Sequence, residues 1–362
     1  MAATAGAAAK QQRQRSIEEE AADLVERQHG RCVTWLDIQS ASHTVWANAN
    51  VFHTPLLRDA GCRLGGNLGM KRLDLKLENT QYTGSFKIRG LANQMKNLPK
   101  DVLSGDRQVV TMSGGNYGRS FSFLLCKQNK LRATVVMPEF APLDRVQLIE
   151  GYGATVERVP NSEIQSTVDR HITQDDMFFL HPFDDNHLIA GHGSCGLEIL
   201  NDCPDVDVVI VCCGGGGILS GVAAAVKHAT LVPGTAMFGR DIHVYGVEPE
   251  GAPKMHQSLQ DGRPATCCNA KSIATGLSPP MAGDLTLEHV QTFVEEVVLV
   301  TDDEIVAAMK ALYSCGQVVE PSGAASVAAL LSGRIPDIQG KNVVAVVTGG
   351  NVSPADLAKF VG

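Results

Sequence analysis

The stretch VDVVIVCCGGGGILSGVAAAVKHA, residues 206–229, reads as a buried strand, a four-glycine turn and an apolar helix in direct succession. The strand is a near-continuous apolar run, as expected for a parallel sheet covered on both faces. Four consecutive glycines are entropically expensive to order unless the backbone must closely approach something. Gly214, Gly215, Gly216, Gly217 and the amide of Ile218 stand where a helix begins. Converging amides and the helix dipole favour an anion at such a place, above all a phosphate. The spacing is neither GxGxxG nor a P-loop with its GK[ST] ending.

The same alternation continues on either side. Upstream, VVTMSGGN near residue 109 is a strand and a glycine turn, followed by an apolar helix through Leu125. ATVVMP, residues 133–138, is a second strand. PLDRVQLIEGYG is a helix, ATVERVP a third strand, and a polar-rich helix follows. Earlier still, LDLKLEN at 73–79 alternates like a strand, and GLANQMKNLP is a helix ended by Pro99. Downstream, IHVYGVEPEGAP is a strand and loop. TDDEIVAAMKALY is a helix capped at Thr301, with Glu304 in the capping-box position. EPSGAASVAALLSG is another helix, and VVAVVTGGN a last strand running into a glycine turn. Near the start, residues 16–31 predict a helix capped by Ser16 and Glu19 and stopped at Gly30. The expected fold class is α/β, in two lobes of open twisted sheets flanked by helices, with a cleft between them. The expected division is an N-terminal extension with a helix (1–44), a large lobe (45–107 with 186–362) and a small lobe (108–185).

Composition narrows the function. The chain has 362 residues, 44% of them hydrophobic, and a net charge of -8. An acidic chain with 5% aromatics lacks the basic surface and the stacking platforms of nucleic-acid binders. No run of eighteen apolar residues is present, so no membrane span is expected. The ten cysteines fit neither a zinc site nor a CxxC pair and read as small core residues in a reducing compartment, the cytoplasm. The Ala-rich, basic start lacks the apolar core of a secretory signal and reads as a disordered or helical tail, with an organelle transit peptide as the alternative.

Several residues carry possible chemistry. Lys87, in Ser85-Phe86-Lys87, follows a glycine-led turn and sits beside an aromatic. Near an anionic aldehyde cofactor such a lysine forms an imine, and partial desolvation makes it a better nucleophile and base. Ser113, Gly114, Gly115, Asn116 and Tyr117 form a strand-to-helix turn suited to a carboxylate, with Asn116 as an amide donor. Thr348 ends a buried strand, where a hydroxyl meets a neutral ring nitrogen. His181, Asp184, Asp185 and His187 invite a metal reading, but nothing in their spacing aligns them, and ordinary polar groups are preferred. Glu248, at a strand end, is the better cation candidate.

In order along the chain, TGSFKIRG, SGGNY, GGGGILSG, GVEPEGA, EPSGAA and VTGGN resemble fold-type II pyridoxal-phosphate enzymes (tryptophan synthase beta-like), specifically the threonine/serine dehydratase and serine racemase group. The resemblance covers residues 45–361. It implies pyridoxal 5'-phosphate as cofactor, a small amino acid as substrate and a homodimer. It implies a Schiff base on Lys87, Phe86 packed on the cofactor ring, Asn116 on the ring hydroxyl, and residues 214–218 as the phosphate cup. It places Glu320 at the cofactor edge, Thr348 at the pyridine nitrogen, and Ser113, Gly114 and Tyr117 at the substrate.

The departures matter more. Serine racemases carry a second serine where this chain has Gly114, and that serine acts on the face opposite lysine. Glycine holds no proton, so two-base racemisation loses a base and elimination is expected. Tyr117 replaces the usual histidine. Glu248 and Ala252 match the cation site of the racemases, but Lys254 stands at their aspartate; a bound cation and a lysine ammonium in its place are both open here. The expected activity is therefore dehydration of an L-β-hydroxy amino acid to a 2-oxo acid and ammonia. Racemase or epimerase, β-replacement synthase and non-catalytic binding protein are the alternatives.

Overall fold

The computed structural model describes residues 30–64, 69–267 and 270–362. The helix expected over 16–31 lies outside them, except for Gly30 and Arg31. The strands are β1 (Leu56–Leu57), β2 (Arg72–Leu77), β3 (Val109–Met112), β4 (Ala133–Pro138), β5 (Thr155–Val159), β6 (Phe178–Phe179), β7 (Val208–Cys212), β8 (His243–Pro249), β9 (Glu296–Val300) and β10 (Asn342–Val347). The helices up to the glycine loop are α1 (Trp35–Ala47), α2 (Lys87–Lys96), α3 (Lys100–Leu103), α4 (Asn116–Phe121), α5 (Leu143–Gly151), α6 (Ile164–Thr173) and α7 (Asn186–Asp202). After it come α8 (Gly217–Leu231), α9 (Lys254–Asp261), α10 (Asp284–Phe293), α11 (Asp302–Ser314), α12 (Pro321–Leu331) and α13 (Pro354–Val361).

Two sheets result, as the alternation predicts. The larger has the order β1-β2-β10-β7-β8-β9 and the smaller β5-β4-β3-β6. Every pairing is parallel except β1 with β2. Period-two alternation divides each central strand between two cores. Val209 and Val211 join one apolar cluster, while Val208, Ile210 and Cys212 join the other. In the small sheet Val135 and Met137 face one cluster and Val136 the other. Burial on both faces is why these strands carry almost no polar residues.

Some local readings needed adjustment. Helix α2 begins at Lys87, not Gly90. The helix after the SGGN turn is α4 for only six residues and continues as a π-helical segment over Ser122–Gln128. Helix α1 escaped the sequence reading, although Thr34 and Asp37 form a capping box at its start. The box predicted at Thr301 and Glu304 is present. Strand β2 alternates in sequence, yet its Asp74 and Lys76 are buried. Lys76 donates to Thr54 O and Glu198, both at 2.8 Å, and Asp74 accepts from Arg58 and Arg72. Buried charge is tolerated here because each group is paired. No helix among the described residues is long and apolar enough to cross a membrane.

Candidate active site

In a parallel sheet, ligand sites form beyond the carboxyl ends of the strands. The SGGN turn follows β3, the glycine loop follows β7, Glu248 lies near the end of β8, and Thr348 follows β10. Sheet topology therefore gathers motifs that are scattered over more than 230 positions of sequence.

Lys87 is placed by its neighbours. Gly84 turns the chain in the left-handed region (φ 74°), Ser85 bridges to Gly349, and Phe86 N donates to Thr348 O at 3.2 Å. Lys87 then opens α2. Its Nζ donates to Pro182 O at 2.8 Å and lies 5.1 Å from the Phe86 ring centre and 5.6 Å from that of Tyr117. Among the described residues it has no carboxylate partner. Burial pushes its pKa down to about 8, with the neighbouring Cys212 acting the other way.

The glycine loop lies next to it. Phe183 follows Pro182 and covers the loop, so that a Cβ on Gly215 would meet its ring at 2.2 Å. Gly216 has φ 98°, which glycine adopts without strain. The first helical bond of α8 runs from Ser220 N to Gly216 O at 2.8 Å. The amides of Gly217, Ile218 and Leu219 therefore lack partners within the helix.

Thr348 is buried, with its hydroxyl 3.1 Å from Cys212 Sγ. Sequence reasoning missed that thiol, since a cysteine in an apolar strand carries no signal of its own. A chain of polar contacts crosses the cleft. Asn116 Nδ2 donates to Glu320 Oε1 at 2.5 Å, Asn351 Nδ2 donates to Asn116 Oδ1 at 2.8 Å, and Arg119 Nη1 donates to Asn351 Oδ1 at 2.6 Å. Burial pushes the Glu320 carboxyl up to about 7, opposed by the Asn116 bond and by Arg145 and Arg119.

In the SGGN turn, Ser113 Oγ accepts from Gly115 N and Gly118 N at 3.3 and 3.0 Å, tying the start of α4. The carbonyl of Gly114 accepts from Arg145 Nη1 at 3.3 Å. Gly114 is not held in the left-handed region, and a Cβ there would meet Pro138 at an ordinary 3.5 Å. The backbone does not require glycine at this position. Tyr117 is buried, donates its hydroxyl to Gln94 Oε1 at 2.7 Å, and turns its ring toward Lys87. Burial raises its pKa well above the ordinary value.

The His181 group serves local structure. His181 Nδ1 accepts from Phe183 N and Asp184 N at 3.3 and 2.8 Å, Asp185 caps α7 through Leu188 N, and Asp184 accepts from Thr286 N. No cluster suited to a metal ion occurs among the described residues. Lys87, Phe86, Asn116, Glu320 and Thr348 are thus brought together, with the glycine loop and the SGGN turn as walls. Glu248 and Lys254 lie behind the loop rather than in the cleft. The Pro182 carbonyl was not legible in the sequence, because a backbone acceptor has no residue signature.

Comparison with known proteins places the whole chain rather than its single residues. The family model for pyridoxal-phosphate dependent enzymes matches residues 49–349. The chain is 37% identical to the L-threonine ammonia-lyase of Thermotoga maritima over 323 residues, 88% of this chain and 76% of that protein. It is 34% identical to a catabolic L-threonine dehydratase of Staphylococcus aureus, over 94% of each chain. Among solved structures, the serine racemase of Dictyostelium discoideum superposes with a TM-score of 0.78 at 34% identity, covering 89% of this chain and 99% of that one. The chain belongs to the family of pyridoxal-phosphate dependent enzymes.

Proposed function

We propose that the chain is a pyridoxal-phosphate-dependent ammonia-lyase that converts an L-β-hydroxy amino acid, threonine or serine, to a 2-oxo acid and ammonia. The observation that carries this reading is Lys87, an amine without a carboxylate partner among the described residues, desolvated to a pKa of about 8, in a cleft that also holds the N-terminus of α8. The names of the relatives from Thermotoga maritima and Staphylococcus aureus support the substrate class.

The residues fit the cofactor. Side chains are excluded from the loop, since a Cβ on Gly214 would lie 2.7 Å from Gly276 O and one on Gly216 2.6 Å from Thr286. Ser85, beside Lys87, has a buried hydroxyl with no hydrogen-bond partner among the described residues. Lys87 would hold the aldehyde carbon, the amides of 214–218 the phosphate, Asn116 the ring hydroxyl and Thr348 the ring nitrogen. Phe86 would cover one face and Glu320 would border the ring. When bound, pyridoxal phosphate supplies the sink for the electrons of the broken Cα–H bond.

The rest falls to the chain. The turn at Ser113 and Gly114 orients the substrate carboxylate, beside Tyr117. Lys87 Nζ takes the Cα proton, and its lowered pKa leaves about a tenth of the amine neutral at pH 7, far more than an ordinary lysine would have. The β-hydroxyl departs as water with the proton that Lys87 took from Cα, and hydrolysis of the dehydrated product releases ammonia. A threonyl hydroxyl at 348, rather than a carboxylate, would meet the ring nitrogen without protonating it, which would favour elimination. Gly114 has no proton to return to the opposite face, although a side chain there would fit. The likeness to a serine racemase supports racemisation as the second reading.

A keto-acid assay over threonine, serine, 3-hydroxyaspartate and phenylserine, with chiral analysis of residual substrate, tests both. Keto acid with unchanged enantiomeric purity is expected; dominant enantiomer exchange sinks the elimination reading. Gly114→Ser should raise the racemisation share by at least roughly tenfold if the missing proton donor is what suppresses it.

Three coarser inferences accompany this one. The resemblance supports a homodimer, which sedimentation of the holoenzyme checks. Unbridged buried thiols at Cys195, Cys212 and Cys213 support a reducing compartment, the cytoplasm. The confinement of β3 to β6 within 109–179 supports a small lobe at 108–185 and a large lobe at 45–107 with 186–362.

A further inference from the structure

Behind the glycine loop lies a buried lysine that the proposed chemistry does not use. Lys254 opens α9, and its side chain is fully buried. Its Nζ donates to Glu248 Oε1 at 2.8 Å, to Leu277 O at 2.8 Å and to Ala252 O at 3.4 Å. The Glu248 carboxylate is also fully buried and accepts from Met255 N and His256 N at 3.1 and 2.9 Å. One carboxylate and two backbone carbonyls converging on a point form the donor set of a hard cation. Here a tethered ammonium occupies that point.

The resemblance to racemases implies a bound cation at Glu248 and Ala252. The residues present do not fit one. Glu248 already has its counter-charge, and a metal ion would share the cage with an ammonium, a like charge at contact distance.

The cage bears directly on the glycine loop. Leu277 ends the turn Thr275–Leu277, and a Cβ on Gly214 would lie 2.7 Å from Gly276 O in that turn. On the other side a Cβ on Gly216 would lie 2.9 Å from Met255 Cε, the residue after Lys254. Cys213, at the entry to the loop, bonds through its amide to Val247 O at 2.7 Å, one residue before Glu248. One ammonium thus joins β8, the 275–277 turn and α9 around the base of the loop.

We infer that Lys254 is a built-in replacement for a bound cation: it neutralises Glu248, ties the Leu277 turn to β8, positions the glycine loop, and makes the protein indifferent to added cations. Lys254 is a positioning residue and touches neither substrate nor cofactor.

The first test needs no variant. Holoenzyme freed of metals by chelation, in a tetramethylammonium buffer, is titrated with KCl, NH4Cl, MgCl2 and MnCl2. Unchanged melting temperature and cofactor occupancy, and no stoichiometric metal by elemental analysis, are expected. A rise of several degrees with any of these salts, or one metal ion per chain, overturns the inference.

The second test empties the cage. Lys254→Ala should weaken retention of pyridoxal phosphate by at least roughly tenfold, because it leaves Glu248 buried and uncompensated. NH4Cl or KCl should restore much of the loss, whereas the same salts leave the wild type unmoved. Should the alanine variant not fold, Lys254→Asp offers two carboxylates and should gain a MnCl2-dependent rise in melting temperature and a bound-manganese EPR signal. Weakened retention that no cation restores in Lys254→Ala, or no manganese uptake by Lys254→Asp, overturns it.

Discussion

Lys87 and Lys254 are both desolvated lysines at the first position of a helix, near the carboxyl ends of the large sheet, yet they differ in company. Lys87 has one neutral acceptor, the Pro182 carbonyl, and two aromatic rings. Lys254 has a carboxylate and two carbonyls. Desolvation without a counter-charge favours the neutral, nucleophilic amine, whereas the Lys254 amine spends its three donors on a carboxylate and two carbonyls. Burial alone therefore says nothing about whether a lysine reacts; its partners do. Arg89, two residues past Lys87, makes the same point. It is fully buried and bonded to both Glu78 and Glu198, at distances down to 2.7 Å.

The largest break in the comparison comes from removing the reactive amine. Lys87→Ala should lower turnover by at least roughly 10³-fold, the loss expected for a positioned base, and abolish the imine absorbance of the holoenzyme. Its chemical denaturation midpoint should not fall, because no ionic partner is stranded. Full activity in this variant would remove the basis of the proposed function. Arg89→Met should do the reverse. Stranding Glu78, and leaving Lys76 as the one cation on Glu198 among the described residues, should cost about 3–5 kcal/mol of stability by denaturant titration. A loss below about 1 kcal/mol would show the network to be dispensable.

A smaller effect follows from pH. With a pKa near 8, the neutral fraction of Lys87 grows about tenfold per pH unit below that value and levels above it. Capture of pyridoxal phosphate by the cofactor-free protein, followed by imine absorbance, should rise and level in that way. An increase continuing toward 10.5 would mark an ordinary, solvated lysine. Linkage gives the sign for stability. The unfolded chain binds this proton more tightly, so the group adds stability as pH climbs from about 8 to 10.5, and Lys87→Met should remove that slope. The smallest effect is expected from Tyr117→Phe. It deletes the bond to Gln94 but keeps the ring beside Lys87, and should cost about 1 kcal/mol by denaturant titration, with the pH profile of cofactor capture unchanged.

Much of the fold was legible because it is written in local terms. The apolar run, four glycines and helix of 206–229 appear as β7, the loop and α8, since periodicity and backbone freedom are properties of short segments. The Thr301 cap was legible for the same reason. Helix α1 was missed although its capping box was in plain view, because its apolar face is weak and its stability comes from packing Ile38, Ala41 and Val45 on the rest of the protein. In the site, the Lys87 segment, the glycine loop and the SGGN turn were legible as motifs. The bond between Asn116 and Glu320, the Cys212 thiol beside Thr348 and the covering role of Phe183 were not, since each pairs residues far apart in sequence.

For this protein, the sequence by itself determined the alternation of strands and helices, the family and the places where backbone amides stand free. It also determined that one lysine follows a glycine turn and another follows Glu248 by six positions. Only the tertiary structure decided which of the two amines would be reactive. Charge state depends on every group within a few ångströms, and the oxygens around Lys254 come from positions 248, 252 and 277, while Lys87 meets a single carbonyl from position 182.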